Sequence, residues 1–470
     1  MISAVLKKIY ERSPGGIKRF SGYLLKSIPP RILYGRAFRV WSKFLNKSQW
    51  WSKEEIEEYQ IRQLCSIVEY AYNNVPYYKR VFDERGIVPS DIQSFDDLKR
   101  LPLLTKEIIR DNFDNLLSRS YPRYKMITCN TGGTSGKRLF FLEPAESPLI
   151  EWAFITTLWK RVGFRPSDIR ITIGDVPISQ KAGRKYWEFD PLRREWKFSP
   201  FHLSNENLPE YLEKFKEINC RYIHGFVSSL TVIAKFILDN NIDDLAKFDA
   251  VLASSEPMYD WQQDLLSRAF QTRIFRWYGQ NEKVILAGEC EKNRTYHIFP
   301  EYGYAEVVHP DGTPVAAENE VGELVGTGFY NWAMPLIRYR LDDWGQIQEG
   351  GCSCGRNHRF LKNLEAKRVV NMIVSKRGHF ISTTAVYIRG GILDNVERFQ
   401  FYQEKRGELI LKIVKGKNYK HQDTQNIMAE LNSQIGDSVD IRIVFVEEIP
   451  LTEGGKQKIL EQKLDISSNE

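Results

Sequence analysis

Histidine, cysteine and methionine are scarce in this 470-residue chain, at seven, six and six residues. So few cysteines exclude a disulfide-framed scaffold and read instead as reduced thiols or metal ligands. Long apolar runs are also missing: nothing reaches the roughly 20 residues that a bilayer-spanning helix needs. The first residues lack a secretory signal, because Ile2–Leu6 is too short for its apolar segment and no small-residue cleavage site follows. The expected location is therefore the cytoplasm. There are no internal repeats and no low-complexity linker. No Ser-His-Asp or Cys-His nucleophile signature stands out.

Acid is almost absent from the first fifty residues, which hold eleven Lys or Arg and one acid, Glu11, a charge of +10 within a whole-chain net of +7. Ile2, Val5, Leu6 and Ile9 fall at helical spacing, and Ile17, Phe20, Leu24 and Ile28 nearly repeat it. Residues 1–50 read as a basic amphipathic arm. Two readings stay open: peripheral contact with an anionic membrane at its inner face, or a surface helix packed on the body. Nucleic acid is not expected, because no basic patch with interleaved aromatics recurs later in the chain.

A composition of 42% hydrophobic and 27% charged residues marks a globular protein, and the length suggests two or three domains. Residues 52–75 read as a helix with a capping box at Ser52 and Glu55. Ser94 with Asp97 marks another helix start, and Thr105 is expected to cap a helix running to about Leu117. Between 150 and 345, strand-like runs such as Ile169–Ile173, Tyr222–His224, Ala250–Ala253 and Ile274–Trp277 alternate with helical stretches at Asn207–Ile218, Ser229–Leu238 and Asp260–Phe270. That alternation predicts βαβ units and mainly parallel sheets. Short strands with turns are expected over 296–348. The last hundred residues read as a small α/β unit: strands near 396–403, 409–414 and 441–446, and a helix near 422–434.

The first chemical motif is Asn130-Thr131-Gly132-Gly133-Thr134-Ser135-Gly136-Lys137. Its glycines permit close backbone approach, and its amides, hydroxyls and ammonium suit a polyphosphate. It is not a Walker A loop, since Thr131 and Arg138 stand at required Gly and Ser/Thr positions. An ordinary turn is the alternative.

TGGTSGK resembles the phosphate loop of the adenylate-forming superfamily of acyl-CoA synthetases, peptide-synthetase adenylation domains and luciferase. Four further segments follow in that superfamily's order: Ser255-Glu256-Pro257, Tyr278-Gly279-Gln280-Asn281-Glu282, Arg338–Asp343, and Pro450-Leu451-Thr452 with Gly455-Lys456. Nearly the whole chain is similar to the phenylacetate–CoA ligase branch, including relatives found with capsular polysaccharide genes. Residues 71–78, 103–106, 222–226 and 330–339 carry that closer likeness.

The resemblance implies an α/β fold: a large multi-subdomain N-terminal domain, 51–367, a hinge at 368–371, and a small mobile cap, 372–470. It implies that ATP and Mg²⁺ activate a small carboxylic acid as acyl-AMP, which then passes to a thiol such as coenzyme A or to an amine. By the same resemblance, Thr131, Thr134, Ser135, Gly136 and Lys137 cradle phosphates. Tyr278 and Gly279, with Ser255, Glu256 and Pro257, line the adenine pocket. Glu282 holds Mg²⁺, Asp343 takes the ribose hydroxyls, and Lys456 bridges the acyl carboxylate and α-phosphate. His224, Gly225, Phe226 and Trp277 fall where the acyl pocket should be; His224 either bonds a polar substrate group or satisfies a backbone carbonyl. Tyr278 as core and Asp343 as a turn residue are the plain alternatives. Two departures stand out. Asp342 replaces the usual Gly beside the ribose acid, and in Lys367-Arg368-Val369-Val370-Asn371, Arg368 is kept but Asn371 replaces the hinge acid.

A second constellation is Cys290 and His297 with Cys352 and Cys354. Two thiolate or imidazole pairs suit a closed tetrahedral Zn²⁺, with a hairpin over 289–300 joining the first pair. Some members of the resembled branch carry a structural zinc. Otherwise these are buried thiols and a surface histidine. A different class of function, a non-catalytic nucleotide-binding zinc scaffold, is disfavoured because Lys456, Glu282 and Asp343 are all retained.

Overall fold

The computed structural model describes residues 28–130, 139–174, 186–256, 258–315, 320–365, 372–376, 380–383, 392–436, 438–451 and 457–464. The chain divides into two compact units. One is Met1–Ser167, Pro191–Arg193 and Arg276–Leu364; the other is Asp168–Asp190, Arg194–Phe275 and Glu365–Glu470.

In the first unit, helix Lys53–Asn74 begins where Ser52 Oγ accepts from the Glu55 amide at 3.2 Å and Glu55 accepts from the Ser52 amide at 2.8 Å. It buries Ile56, Tyr59, Leu64, Ile67, Val68 and Ala71. It ends at extended Val75, because Pro76 disfavours a helical residue before it and opens helix Pro76–Glu84. Ser94 and Asp97 form a second capping box, and Thr105 caps Lys106–Asp111. That helix stops short of Leu117. Asn112 leaves helical geometry, its side chain competes for the Ile108 carbonyl at 3.0 Å, and the chain tightens to a 3₁₀ turn at Phe113–Leu116.

Within the span read as a basic arm, residues 28–50 pack on the body. Helix Gly35–Ser48 buries Phe38 and Leu45, Trp41 meets Phe154 at 5.3 Å, and Ser48 hydrogen-bonds buried Glu301. Residues 1–27 lie outside the described residues. Most of this unit's strands form an antiparallel array in the order Gly303–Val308, Gly322–Gly328, Tyr339–Gln348, Phe360–Glu365, Tyr296–Ile298, Leu286–Gly288, Arg273–Gly279.

Among the described strands, parallel pairs are found in the second unit. Arg170–Ile173 lies between Glu195–Phe198 and Tyr222–Phe226, and Ala250–Ser254 follows, all parallel; Trp187–Asp190 is an antiparallel edge. Strand Ala250–Ser254 is buried throughout, as expected of a strand covered on both faces. The same unit holds a separate four-stranded sheet, Asp440–Phe445, Glu408–Lys415, Val396–Gln403, Leu460–Gln462. Helix His421–Ile435 covers it with Ile427, Leu431 and Ile435, against Phe401 and Leu411. One break between the units falls between Leu364 and Glu365, and the C-terminal sheet shares its unit with the parallel strands.

Candidate active site and metal centre

On the antiparallel array, Tyr278 is the last but one residue of strand Arg273–Gly279 and Asp343 lies in Tyr339–Gln348. The Tyr278 hydroxyl donates to Asp343 Oδ2 at 2.9 Å, so two residues expected to hold adenine and ribose share one hydrogen bond. Tyr278 is mostly buried, its ring within the hydrophobic core. Trp277, from the expected acyl pocket, meets Trp159 edge-on at 5.4 Å. Gly279 is exposed, and a Cβ there would meet Leu286 at 3.1 Å.

Glu282 follows in the next turn, buried, with Oε1 accepting from Tyr339 at 2.7 Å. Its second oxygen has no hydrogen-bond partner among the described residues, the arrangement a cation ligand needs. Burial and the Glu282 carboxylate push the Tyr339 hydroxyl far above its ordinary pKa, so it stays a donor.

Asp342 has a φ of 58°, a left-handed conformation. That accounts for glycine as the usual residue there, and Asp is among the few side chains that tolerate it. Its carboxylate pairs with Lys106. Lys106 and Tyr339 are partners that sequence reasoning missed, although both lie inside segments that carried the resemblance. Arg338, also left-handed at φ 52°, bonds Glu306 at 2.9 Å and the Leu101 carbonyl at 2.6 Å, a structural role.

In the second unit the expected substrate residues lie at the carboxyl ends of parallel strands, where ligands of α/β sheets commonly bind. His224 Nε2 lies 3.1 Å from Ser254 Oγ, which lies 3.2 Å from Ser255 Oγ. Burial, with Arg170 adding, pushes the His224 imidazole down to about 3, so it is a neutral donor and acceptor. Gly225 serves close packing: a Cβ would meet the Ile173 carbonyl at 3.0 Å. Phe226 is buried, with its ring over Gly174. Ser255 is exposed at φ 68°. Glu256 accepts from the Ser228 amide at 2.7 Å and hydroxyl at 3.0 Å, anchoring it at the start of helix Val227–Asp239, where the helix dipole favours an anion.

The cysteines and histidine converge as the spacing predicted. The hairpin Leu286–Gly288/Tyr296–Ile298 sets His297 opposite Gly288, and Cys352–Cys354 come from a turn before Phe360–Glu365. The four donor atoms of Cys290, His297, Cys352 and Cys354 lie within 4.8 Å of one another. Cys290 Sγ and Cys352 Sγ are 3.7 Å apart, and Cys354 Sγ is 4.0 Å from His297 Nε2. With Zn–S bonds of about 2.3 Å, tetrahedral geometry places two sulfurs roughly 3.8 Å apart, so the set fits zinc. Amides of Lys292 and Asn293 point at Cys290 Sγ at 3.3 and 3.4 Å, and Asn293 Nδ2 reaches Cys352 Sγ at 3.0 Å. Such donors stabilise thiolate. Burial, with Arg161 and Arg356, pushes His297 down to about 3, keeping its lone pair available. Burial raises the Cys352 thiol to about 11; for Cys354 burial is outweighed by Arg356, and the thiol falls below its ordinary value.

Thr131, Thr134, Ser135, Gly136, Lys137, Pro257, Arg368 and Lys456 lie outside the described residues. Their nearest described neighbours are the hairpin Met126–Asn130/Phe140–Pro144 around the glycine-rich motif, and Gln457 and Lys458, whose carbonyl accepts from Gln400 at 3.0 Å. Among the described residues no helix is long and apolar enough to cross a membrane.

Residues 373–463 match the CapK C-terminal domain family. Protein CapK of Staphylococcus aureus is 24% identical over 425 residues, covering 86% of this chain and 88% of that protein. The phenylacetate-coenzyme A ligase of Escherichia coli is 25% identical over 433 residues, covering 86% of this chain and 94% of that enzyme. Among solved structures, 2-hydroxyisobutyryl-CoA ligase in the postadenylation state with R3-HIB-AMP aligns with a TM-score of 0.70 at 14% identity, over 87% of this chain and 90% of that one. The same enzyme with 2-HIB-AMP gives 0.68 at 15% identity. The chain thus has the fold of the adenylate-forming CoA ligases, and CapK and the phenylacetate-coenzyme A ligases are its homologues.

Proposed function

We propose that the chain is an AMP-forming ligase. Carboxylate oxygen attacks the α-phosphorus of ATP, the bond to pyrophosphate breaks, and the acyl-AMP carbonyl is then attacked by the thiol of coenzyme A, releasing AMP. The observation that carries this reading is the Tyr278–Asp343 hydrogen bond, made between two strands of the antiparallel array, beside buried Glu282. One ring and two carboxylates, at the motif positions for base, ribose and metal, are held by neighbours rather than left in solvent.

Each residue then has a task. Tyr278 presents an aromatic face for adenine, and its hydroxyl orients Asp343. Asp343, as an ionised carboxylate, accepts two ribose hydroxyls. Tyr339 fixes one oxygen of Glu282 and leaves the other for Mg²⁺, which supplies charge to offset the triphosphate. The backbone and hydroxyls of 131–137, with Lys137, would cradle the phosphates. Two anions must meet in the first step, and positioned cations screen them. Lys456 would do so at the acyl carboxylate, carried there by the cap 372–470 turning about 368–371. Neutral His224 beside Ser254 offers the acid a hydrogen-bonding partner, next to aromatic Phe226. Cys290, His297, Cys352 and Cys354 would hold a structural zinc.

The test is acid-dependent exchange of pyrophosphate into ATP with Mg²⁺, screened over aryl, amino, hydroxy and uronic acids. Exchange with one class is the expected result. Failure to bind ATP at all by calorimetry overturns the reading.

A second reading is an amide- or ester-forming ligase of a surface-polysaccharide pathway. It is favoured by the match of 373–463 to the CapK C-terminal domain. Product analysis with coenzyme A, amines and sugar precursors as competing acceptors separates the two. A cytoplasmic location with peripheral contact at anionic lipid fits the basic N-terminal residues. Cosedimentation with anionic but not neutral vesicles, weakening with salt, is the expected result.

A further inference from the structure

Glu282 sits between two residues that each reach the same hairpin. Asn281 Nδ2 donates to the Asn130 carbonyl at 2.9 Å. Lys283 Nζ lies 2.9 Å from Glu143 and 3.6 Å from Glu151. Asn130 and Glu143 belong to the two strands of Met126–Asn130/Phe140–Pro144, paired with Asn130 opposite Phe140 and Ile127 opposite Glu143. Asn130 is the first residue of the glycine-rich motif, and Phe140 opens the strand that returns from it. One neighbour of Glu282 therefore grips the outgoing strand at its end, and the other grips the return strand.

The grip on the return strand is a buried one. The Lys283 and Glu143 side chains are 9% and 2% exposed. Glu143 also accepts from the Cys129 thiol at 3.0 Å, and Tyr302 donates to Glu151 at 3.4 Å. Lys283 adopts a left-handed φ of 55°, and its amide closes a turn onto the Gln280 carbonyl at 3.1 Å. That turn sends consecutive side chains to different partners, Glu282 to Tyr339 and Lys283 to Glu143. A buried ion pair is weak evidence of net stabilisation, but breaking it strands a charge, which makes it a geometric pin. A lysine needed only for charge balance would not require both flanking residues to seek the hairpin that carries the motif.

We propose that Lys283 is a positioning residue. Its buried bond to Glu143, with the Asn281–Asn130 bond, fixes Glu282 relative to the two strands that flank the glycine-rich motif, and so sets where a cation on Glu282 is held. This rests on the ligase reading above.

Three variants of the full chain test it: Asn281→Ala, Lys283→Met, and the double variant Glu143→Gln/Lys283→Met, which removes both buried charges. The readouts are ATP binding by calorimetry across a Mg²⁺ series, and thermal melting. Asn281 is exposed, so Asn281→Ala should melt like the wild type yet need more Mg²⁺ for half-maximal ATP binding. Lys283→Met should lower the melting temperature and raise the Mg²⁺ requirement by about tenfold or more, as loss of a metal ligand's supporting partner does. The double variant should recover most of the melting temperature while keeping the raised Mg²⁺ requirement. A double variant with wild-type Mg²⁺ dependence overturns the proposal, because the pair then only balances charge. If the wild type shows no Mg²⁺-dependent ATP binding, the ligase reading falls and this proposal with it; a wild type that binds alongside variants that bind identically removes this proposal alone.

Discussion

The two compact units hold their candidate site residues by different means. On the antiparallel array, each carboxylate is aimed by a distant side chain: Asp343 by Tyr278, Glu282 by Tyr339, Asp342 by Lys106. On the parallel sheet, strand register does most of the aiming. Thr172, His224 and Leu252 lie side by side, as do Ile173, Gly225 and Ala253, so the strand ends arrive together. There the backbone and short contacts finish the work: the Ser228 amide for Glu256, the Ile173 carbonyl against Gly225. Substitutions at the aiming side chains of the first region should therefore alter ligand handling with little loss of stability, and those in the second region should cost packing first.

The cluster of Cys290, His297, Cys352 and Cys354 is the sharpest exception, since its side chains join a hairpin and a turn of the array itself. Native protein should carry about one zinc per chain by elemental analysis. Cys352→Ser should lose most of it and melt earlier, since structural zinc is worth on the order of 10–16 kcal/mol of apparent binding in small zinc domains. Zinc-free native protein would remove the centre from the comparison. Next in size is Lys456→Ala, expected to slow adenylation by about 10²–10³ while sparing ATP affinity, as deletion of one well-placed charged donor does. Transfer from preformed acyl-AMP should persist, and Lys458→Ala should change little.

Gly225→Ala should cost about 1–3 kcal/mol in chemical denaturation, as overpacking a dense site does. Stability unchanged in that variant would break the contrast between the units. His224 gives a pH signature. Its folded pKa, about 3, lies below its ordinary 6.5, so the unfolded chain binds the extra proton between those values. Its contribution is present above pH 6.5 and is lost as pH falls toward 3, at up to about 1.4 kcal/mol per pH unit for one proton. His224→Gln should make acid unfolding in that window shallower by about one proton. The smallest effect expected is Tyr278→Phe, which removes a hydrogen bond worth about 1 kcal/mol and should raise the KM for ATP about fivefold, with melting nearly unchanged.

Local chemistry made much of the fold legible. The capping boxes at Ser52 and Ser94 need residues three positions apart, and helix Asp260–Phe270 and strand Val396–Gln403 lie where periodicity placed them. The Cys290–His297 pairing was legible because a hairpin is a local object. Long-range partners were not. Nothing near Asp342 points to Lys106, and nothing near Lys283 points to Glu143; topology alone brings them together. The short strands and turns read over 296–348 were legible too: strands Gly303–Val308, Gly322–Gly328 and Tyr339–Gln348 are joined without a crossover helix, which leaves antiparallel pairing as their route to a sheet. Asn112 ended its helix early through a side-chain bond that an apolar periodicity does not register.

The clasp around Arg338 has a consequence for how the chain is made. The Leu104 amide donates to the Arg338 carbonyl and the Leu104 carbonyl accepts from the Arg340 amide, and the Arg338 guanidinium reaches the Leu101 carbonyl across 237 positions. Leu98, Leu101 and Leu104 are core residues, yet the strand that covers them is synthesised far later. At about 5–20 residues per second, a ribosome needs on the order of ten seconds or more to cross that gap. Throughout that interval Leu101 and Leu104 lack the hydrogen-bonding partners that Arg338 and Arg340 supply. Conditions that slow elongation should therefore lower the yield of folded protein more steeply than they lower synthesis itself.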